Sequence, residues 1–325
     1  MNLPRRHFLQ LAGAAAAIPA LPRRASALDY PIRPVRIVVG FLAGGPTDIA
    51  ARLIGQWLSE RLGQQFIIEN RPGATGNIAA EAVVNAPPDG YTLLQVATNN
   101  AINATLYDKL SFNLIRDIAP VASVMRLPNI MEVTPSFPAQ TVPEFIAYAR
   151  ANPGKINFAS GGNGTSQHVS GELFAMMANI KMIHVPYRGS GAALSDLIGG
   201  HLDVMFDAAA SSMGYIRSGN LRPLGVTTAA RMETLPDVPA ISEFLPGYEA
   251  TGWQGIGAPR NTPTEIIEKL NQAINAGLAD PAFKSRIADL GGAAAAASPA
   301  EFGKFIADET DKWGKVVRFS GAKAD

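Results

Sequence analysis

Cysteine is absent from the chain, and with it go disulfides, thiolate metal sites and cysteine nucleophiles. Histidine is nearly as scarce. The chain has four, none at the H-E-x-x-H spacing of a zinc hydrolase, and nothing else clusters like metal ligands. No G-x-x-x-x-G-K-[ST] run appears, so a P-loop is excluded. An excess of basic charge is missing too: 28 Lys and Arg stand against 27 Asp and Glu, which argues against a nucleic-acid partner. Beyond the first 27 residues no segment approaches the roughly 18 consecutive apolar residues that a membrane span requires.

What is present is a chain of 325 residues, 47% of them hydrophobic, long enough for two ordinary domains. Residues 1–27 differ from the rest: Arg5-Arg6-His7-Phe8-Leu9, an Ala-rich apolar run from Leu11 to Leu21, then Arg23-Arg24 and Ala25-Ser26-Ala27. A basic start, a short apolar centre and a small-x-small end predict a signal peptide cleaved after Ala27, and the paired arginines before Phe-Leu point to the twin-arginine route. Its removal takes away four Arg and no acid, leaving 24 basic against 27 acidic side chains, a formal charge of −3. The expected location is the periplasm, and the mature chain is expected to be a monomer without membrane insertion.

Two stretches have one grammar. Val35 to Val39 is an apolar β-rich run that breaks at Gly40-Phe41-Leu42-Ala43-Gly44-Gly45-Pro46-Thr47-Asp48 and resumes at helical spacing with Ile49, Leu53, Ile54, Trp57, Leu58 and Leu62. Asn157-Phe158-Ala159-Ser160 likewise leads into Gly161-Gly162-Asn163-Gly164-Thr165-Ser166-Gln167-His168 and a helix through Met177. Strand, Gly-rich loop and helix N-terminus leave amide donors and a partial positive charge exposed, which suits an anion. Two such loops in one chain can grip one anion from opposite sides.

The remaining chain alternates in the same way. Phe66–Glu69 is a strand, Asn70 to Asn77 a turn in which Asn70, Gly73 and Gly76 are turn-formers, Ile78–Asn85 a helix, and Tyr91–Ala97 a strand ending on Thr98-Asn99-Asn100. Strands are also expected at Ile118–Met125, Lys181–Val185, Val204–Asp207, Leu221–Val226 and Ala250–Ala258, with a helix at Ser190–Ile198. Thr141-Val142-Pro143-Glu144, Thr262-Pro263-Thr264-Glu265 and Ser298-Pro299-Ala300-Glu301 have capping spacing and start helices. Ala293–Ala297 reads as a connector. The pattern predicts an α/β fold of two lobes, each a mainly parallel sheet flanked by helices: residues 28–122 with 251–325 form lobe 1 and 123–250 lobe 2. The chain crosses twice between them, and the ligand cleft lies between the lobes.

Enzyme readings fail on spacing. Ala210-Ser211-Ser212-Met213-Gly214 imitates a nucleophile elbow, but such hydrolases order Ser, acid, His, and no His follows His201. Glu69 stands where a ribose-binding acid would, yet neither Gly-rich loop spells G-x-G-x-x-G. No cofactor or metal is expected.

Six motifs in order, Phe41 to Asp48, Glu69-Asn70-Arg71-Pro72-Gly73, Gly162 to His168, His184-Val185-Pro186-Tyr187-Arg188-Gly189, Val204-Met205-Phe206-Asp207 and Leu235-Pro236-Asp237-Val238-Pro239, resemble the substrate-binding proteins of tripartite tricarboxylate transporters, the Bug or TctC family. The resemblance covers Tyr30 to Asp325. It implies a periplasmic-binding-protein (Venus flytrap, type II-like) fold that captures a small carboxylate, whether a di- or tricarboxylate, an acidic amino acid or an aromatic acid, and presents it to integral-membrane transporter subunits. Matching positions place the contacts on Gly44, Gly45, Thr47 and Asp48 in one lobe and on Gly162, Gly164, Thr165 and His168 in the other, with Asp207 deeper. Phe41, Pro46, Asn99 and Asn163 complete the candidate set. The family often has Pro before the paired glycines, where this chain has Ala43. Asp48 can equally complement the helix dipole, Thr165 serve as an N-cap and His168 act as a supporting donor. Two alternatives keep the pocket but change the role: a secreted α/β enzyme acting on a carboxylate, or a receptor feeding a sensor kinase.

Overall fold

The computed structural model describes residues 29–324, so the expected signal peptide and its cleavage point lie outside the described residues. The chain divides after Tyr30, and both sheets belong to the unit that starts at Pro31. From there it runs β1 (Val35–Val39), α1 (Pro46–Leu62), β2 (Phe66–Asn70), α2 (Asn77–Val84), β3 (Thr92–Ala97), α3 (Thr98–Leu106), α4 (Leu114–Asp117) and β4 (Ile118–Leu127). It continues with β5 (Asn129–Val133), α5 (Val142–Ala151), β6 (Ile156–Ser160), α6 (Ser166–Ala178), β7 (Met182–Pro186), α7 (Ser190–Ile198), β8 (Val204–Ala208), α8 (Ala209–Arg217) and β9 (Arg222–Val226). The last part is β10 (Gly252–Pro259), α9 (Thr264–Ala279), α10 (Pro281–Asp289), β11 (Ala293–Ala294) and α11 (Pro299–Ser320).

Local chemistry explains most of these limits. Pro46 occupies the first turn of α1 and Gly63 closes it at φ 73°, a left-handed position that a side chain would strain. At α11, Ser298 Oγ accepts from Glu301 N at 3.2 Å while Glu301 Oε2 accepts from Ser298 N at 2.8 Å, a reciprocal capping box. Thr141 caps α5 in the expected way. Thr262 does not cap α9: its hydroxyl donates to Pro259 O and the helix starts two residues later, at Thr264.

The first sheet has the order β11-β4-β10-β3-β1-β2 and the second β7-β6-β8-β5-β9. The same plan appears twice. The strand that feeds a Gly-rich loop, β1 or β6, lies between its two parallel successors, β2 and β3 or β7 and β8. One neighbour is reached to the left and the next to the right, so each Gly-rich loop leaves its sheet at a reversal of strand order, where such sheets open a crevice beyond their carboxyl ends.

The expectation of mainly parallel sheets holds for these three-strand halves. The other halves are antiparallel: β10 pairs antiparallel with β3 and β4, and β5 with β8 and β9, because these strands come from the chain crossing between sheets rather than from a βαβ turn. β4 stays in the first sheet to Leu127, past the expected division at 122/123, and Asn129 already belongs to the second. Ala293–Ala294 is not a plain connector, since it pairs with Met125 and Arg126 at the sheet edge.

The two crossings are tied together. Thr227 N donates to Asn129 O, Asn129 N to Thr227 Oγ1, and Ala250 N to Thr227 O, each at 2.9 Å. Ser170 of α6 donates to Ala250 O at 3.3 Å and receives Asn129 Nδ2 at 3.1 Å. The helix that follows the second Gly-rich loop is thereby bonded to both crossing segments. On the other side α11 holds the same strands: Arg126 of β4 stacks 3.8 Å over the Phe305 ring, and Trp253 of β10 donates to Glu309.

Candidate functional site

The first loop is held from inside. Asp48, in the first turn of α1, is only 1% exposed; its carboxylate accepts Gly44 N at 2.9 Å, Arg52 Nε at 2.8 Å and Asn70 Nδ2 at 2.8 Å. The Arg52 guanidinium and the amide donors outweigh burial and hold the Asp48 carboxyl at about 2. Asn70 also donates to Phe41 O at 3.0 Å, pinning the start of the loop. Gly45 precedes α1 without any side-chain cap, and Pro46 has no amide hydrogen, so the amides without intrahelical partners at this end are those of Thr47 and Asp48.

The second loop is built on the same principle with other residues. Gly161 N donates to Gln167 Oε1 at 2.9 Å, Gly162 N to Ser160 Oγ at 3.1 Å and Gly164 N to His168 Nδ1 at 3.2 Å. Thr165 caps α6, accepting His168 N at 3.3 Å and donating to Gly162 O at 2.8 Å. Asn163 is half-buried at the loop's centre. The first-turn amides of α6 beyond the cap are Ser166 and Gln167.

These bonds change the expected part of Gly44 and Gly164. Gly44 and Gly164 do not offer their amides outward, because the loop's own Asp48 and His168 receive them. Asp207, expected deeper than the loops, has its carboxylate taken up by donors of the protein itself. It is fully buried and accepts Gln167 Nε2 at 2.6 Å and Ser212 Oγ at 3.5 Å, with further donors at Ala208, Ser190 and Ser211. Burial raises its carboxyl. Through Gln167 it sets the position of Gly161, so its reach toward the loop is indirect. Behind it lies Glu132, which receives the Ser212 hydroxyl at 2.9 Å and is pushed well up by burial and by the neighbouring Asp207 charge. The Ser212 of the elbow-like run is thus a buried linker between two acids.

His168 has a similar supporting place. Its ring stacks on His184 at 3.9 Å between centroids, and His184 stacks on Phe158 at 4.8 Å and meets Ser160 Oγ at 2.7 Å. Burial, then His168, lowers the His184 imidazole to about 3, so His184 is an uncharged ring in the stack, and His168, packed on it, is the ring that receives Gly164 N.

What brings the two loops to one place is a third segment that the sequence presents as a mere turn, Gly73 to Asn77. Gly40 and Gly76 pass so closely that a Cβ on Gly40 would stand 2.5 Å from Gly76 Cα, and a Cβ on Gly76 would be 3.8 Å from the Phe41 ring and 2.9 Å from Asn99 Nδ2. From the other sheet, a Cβ on Gly164 would stand 3.8 Å from Thr75 Cγ2, 3.6 Å from Asn103 Oδ1 and 2.8 Å from Leu106 Cδ2. First loop, Thr75–Gly76 turn and second loop therefore form one contiguous surface. Asn99 belongs to it, with its amide nitrogen on Thr75 O at 2.7 Å. Sequence reading missed Thr75 and Asn103; the Gly73-x-x-Gly76-Asn77 pattern before a helix was the available signal. Two surface cavities of about 290 and 300 Å³ lie elsewhere, one at the amino ends of β1 and β3 beside Arg36 and Thr92, the other between α1 and α10 beside Arg52 and Arg286. Neither is lined by the Gly-rich loops.

Comparison with known proteins bears on this arrangement. A Pseudomonas sp. (strain P51) protein, the UPF0065 protein in the tcbD-tcbE intergenic region, is 38% identical over 97% of this chain and 94% of its own length. BugT of Bordetella pertussis is 34% identical over 99% of both. Among solved structures, R. palustris Rpa4515 with adipate matches at a TM-score of 0.78 and 38% identity, covering 90% of this chain and 99% of that one. MatC (Rpa3494) from Rhodopseudomonas palustris with bound malate matches at 0.75 and 33%, covering 89% and 100%. The family model described as tripartite tricarboxylate transporter family receptor matches residues 50–321. The chain belongs to that family of solute-binding receptors.

Proposed function

We propose that this receptor captures a small carboxylate in the periplasm and delivers it to the integral-membrane subunits of a tripartite tricarboxylate-type transporter, without chemical change to the ligand. The observation that supports this most is the meeting of both Gly-rich loops on the Thr75–Gly76 turn, each loop bringing a helix N-terminus from a different sheet. In this reading the cleft lies between a lobe built on the first sheet, residues 28–127 with 251–325 and not the expected 28–122, and a lobe built on the second, residues 128–250. The ligand carboxylate is received by the first-turn amides of Thr47 and Asp48 on one side and of Ser166 and Gln167 on the other. Phe41, Gly45, Pro46, Asn99, Gly162, Asn163 and Thr165 shape the walls. Gly44, Asp48, Gly164, His168 and Asp207 keep the loops in place through the bonds described above. The adipate and malate held by two structural neighbours are of the expected chemical class.

Calorimetry and thermal unfolding of residues 28–325 against a panel of di- and tricarboxylates, acidic amino acids and aromatic acids test the proposal. A true ligand stabilises by about 2.7 kcal/mol at a hundredfold excess over its Kd, because it binds only the folded form. Unchanged ligand recovered after incubation completes the expected result. No binding by any carboxylate, or product formed from one, refutes it.

A further inference from the structure

The turn between β2 and α2 carries more constraint than a connector needs. Ala74, Thr75 and Gly76 all have positive φ, at 47°, 50° and 89°. A β-branched residue there is strained against its own backbone, and such strain persists only where the surroundings impose it. Here they do. Thr75 O accepts Asn99 Nδ2 at 2.7 Å and Asn103 Nδ2 at 3.0 Å, and Thr75 Oγ1 shares a hydrogen with the Tyr107 hydroxyl at 3.2 Å.

Asn103 Nδ2 also donates to Asn77 Oδ1 at 2.9 Å. Because a carbonyl only accepts, Thr75 O fixes which end of the Asn103 amide is nitrogen, and that fixes the Asn77 amide in turn. One donor and one acceptor are then left, Asn77 Nδ2 and Asn103 Oδ1, both buried without a partner on residues 7% and 0% exposed. Asn103 Oδ1 and Thr75 Cγ2 face Gly164 of the second loop, which has no side chain to cover them. All members of the cluster are neutral.

We infer that Asn77 and Asn103, with Thr75 beside them, form a subsite for a hydroxyl group of the ligand, so that the receptor prefers hydroxycarboxylic acids to their unsubstituted analogues. A hydroxyl can both donate, as Asn103 Oδ1 requires, and accept, as Asn77 Nδ2 requires, so it suits the two leftover atoms. A second carboxylate would set negative charge against the Asn103 oxygen, and a methylene would leave both atoms unpaired. Sites that hydrogen-bond a substrate hydroxyl reject the deoxy analogue for this reason. The inference rests on the carboxylate-receptor reading and names the class within it.

The test is calorimetry of the mature chain with pairs that differ by one hydroxyl: malate and succinate, 2-hydroxyglutarate and glutarate, 2-hydroxyadipate and adipate. The expected result is a preference of roughly tenfold or more for the hydroxylated member of the best-bound pair. In Asn77→Ala the ratio falls below about threefold because the hydroxy acid weakens and its partner does not. Asn77→Asp is the second variant: it keeps the oxygen that receives Asn103 Nδ2, suits a helix N-terminus, and changes the charge seen by both acids equally, so the ratio still reports the lost donor. Equal binding within a pair, a ratio unchanged in both variants, or binding only of carboxylates outside these pairs overturns the hydroxyl assignment and leaves the receptor reading standing. Failure of every carboxylate to bind overturns the receptor reading itself.

Discussion

Gly164→Val separates strain within the second loop from its contact with the Thr75 turn and α3. Gly164 has φ 76°, a region that costs an ordinary L-residue about 1–2 kcal/mol. This cost is internal to the loop and is present whether or not the loops touch. The added Cβ would also stand 2.8 Å from Leu106 Cδ2, with Asn103 Oδ1 at 3.6 Å and Thr75 Cγ2 at 3.8 Å, the first two on α3 and the third on the turn before α2. That clash lies between the second loop and the Thr75 turn, so under the proposed capture of a ligand between the loops it weakens binding by the overpacking cost, about 1–3 kcal/mol. Differential scanning calorimetry of the ligand-free protein should show Tm lowered by about 2–4 °C. Titration calorimetry should show affinity reduced about 5- to 150-fold. Gly214→Ala in α8 is the control: its φ is not positive and a new Cβ meets nothing within 4 Å, so affinity should stay at the wild-type value and Tm should not fall. Wild-type affinity in Gly164→Val, with Tm lowered as expected, would refute the idea that this glycine serves contact between the sheets.

Asp48→Asn should destabilise by about 1–2 kcal/mol at pH 7, a figure reduced for the half-exposed Arg52. The folded carboxyl at about 2 lies below its ordinary 3.8, so the contribution is complete above pH 4 and lost as pH falls through 2. Urea midpoints of wild type and variant should converge near pH 2, and a gap that persists there would assign the loss to shape instead of charge. Glu309→Leu removes the acceptor of both Trp253 Nε1 at 2.9 Å and Trp313 Nε1 at 2.8 Å and leaves Lys312 without its carboxylate. A loss of about 3–5 kcal/mol is expected, read from urea unfolding followed by tryptophan fluorescence. A loss under about 1 kcal/mol would mean that α11 holds the crossing strands by apolar packing alone.

Much of the site's framework was legible in advance because it depends on neighbours in the chain. Val35–Val39 followed by Gly40 to Asp48, and Ile156–Ser160 followed by Gly161 to His168, announce strand, loop and helix through residues that act within one turn of themselves. Pro46, Gly63, Thr141 and Ser298 do the same for helix ends. The assignment of donors was not legible. Nothing local says that Gly164 N turns to His168, that Asp207 spends its lone pairs on Gln167 and serines, or that Ser212 joins two acids. Thr98–Asn100 read as a strand end and instead begins α3, since Asn100 Oδ1 takes up Ala97 N and the helix is covered by α11.

Sequence alone determined the repeated strand–loop–helix units, the absence of cysteine chemistry and the family to which they lead, because periodicity, capping and motif order are properties of a contiguous chain. Tertiary structure alone decided the strand order that puts each loop at a reversal point. It also decided the pairing of Ala293–Ala294 with β4 and the convergence of Phe41, Thr75, Gly76 and Gly164 on one surface. These relations join residues dozens of positions apart. Their distances depend on how two sheets pack and cross, and no local preference encodes that.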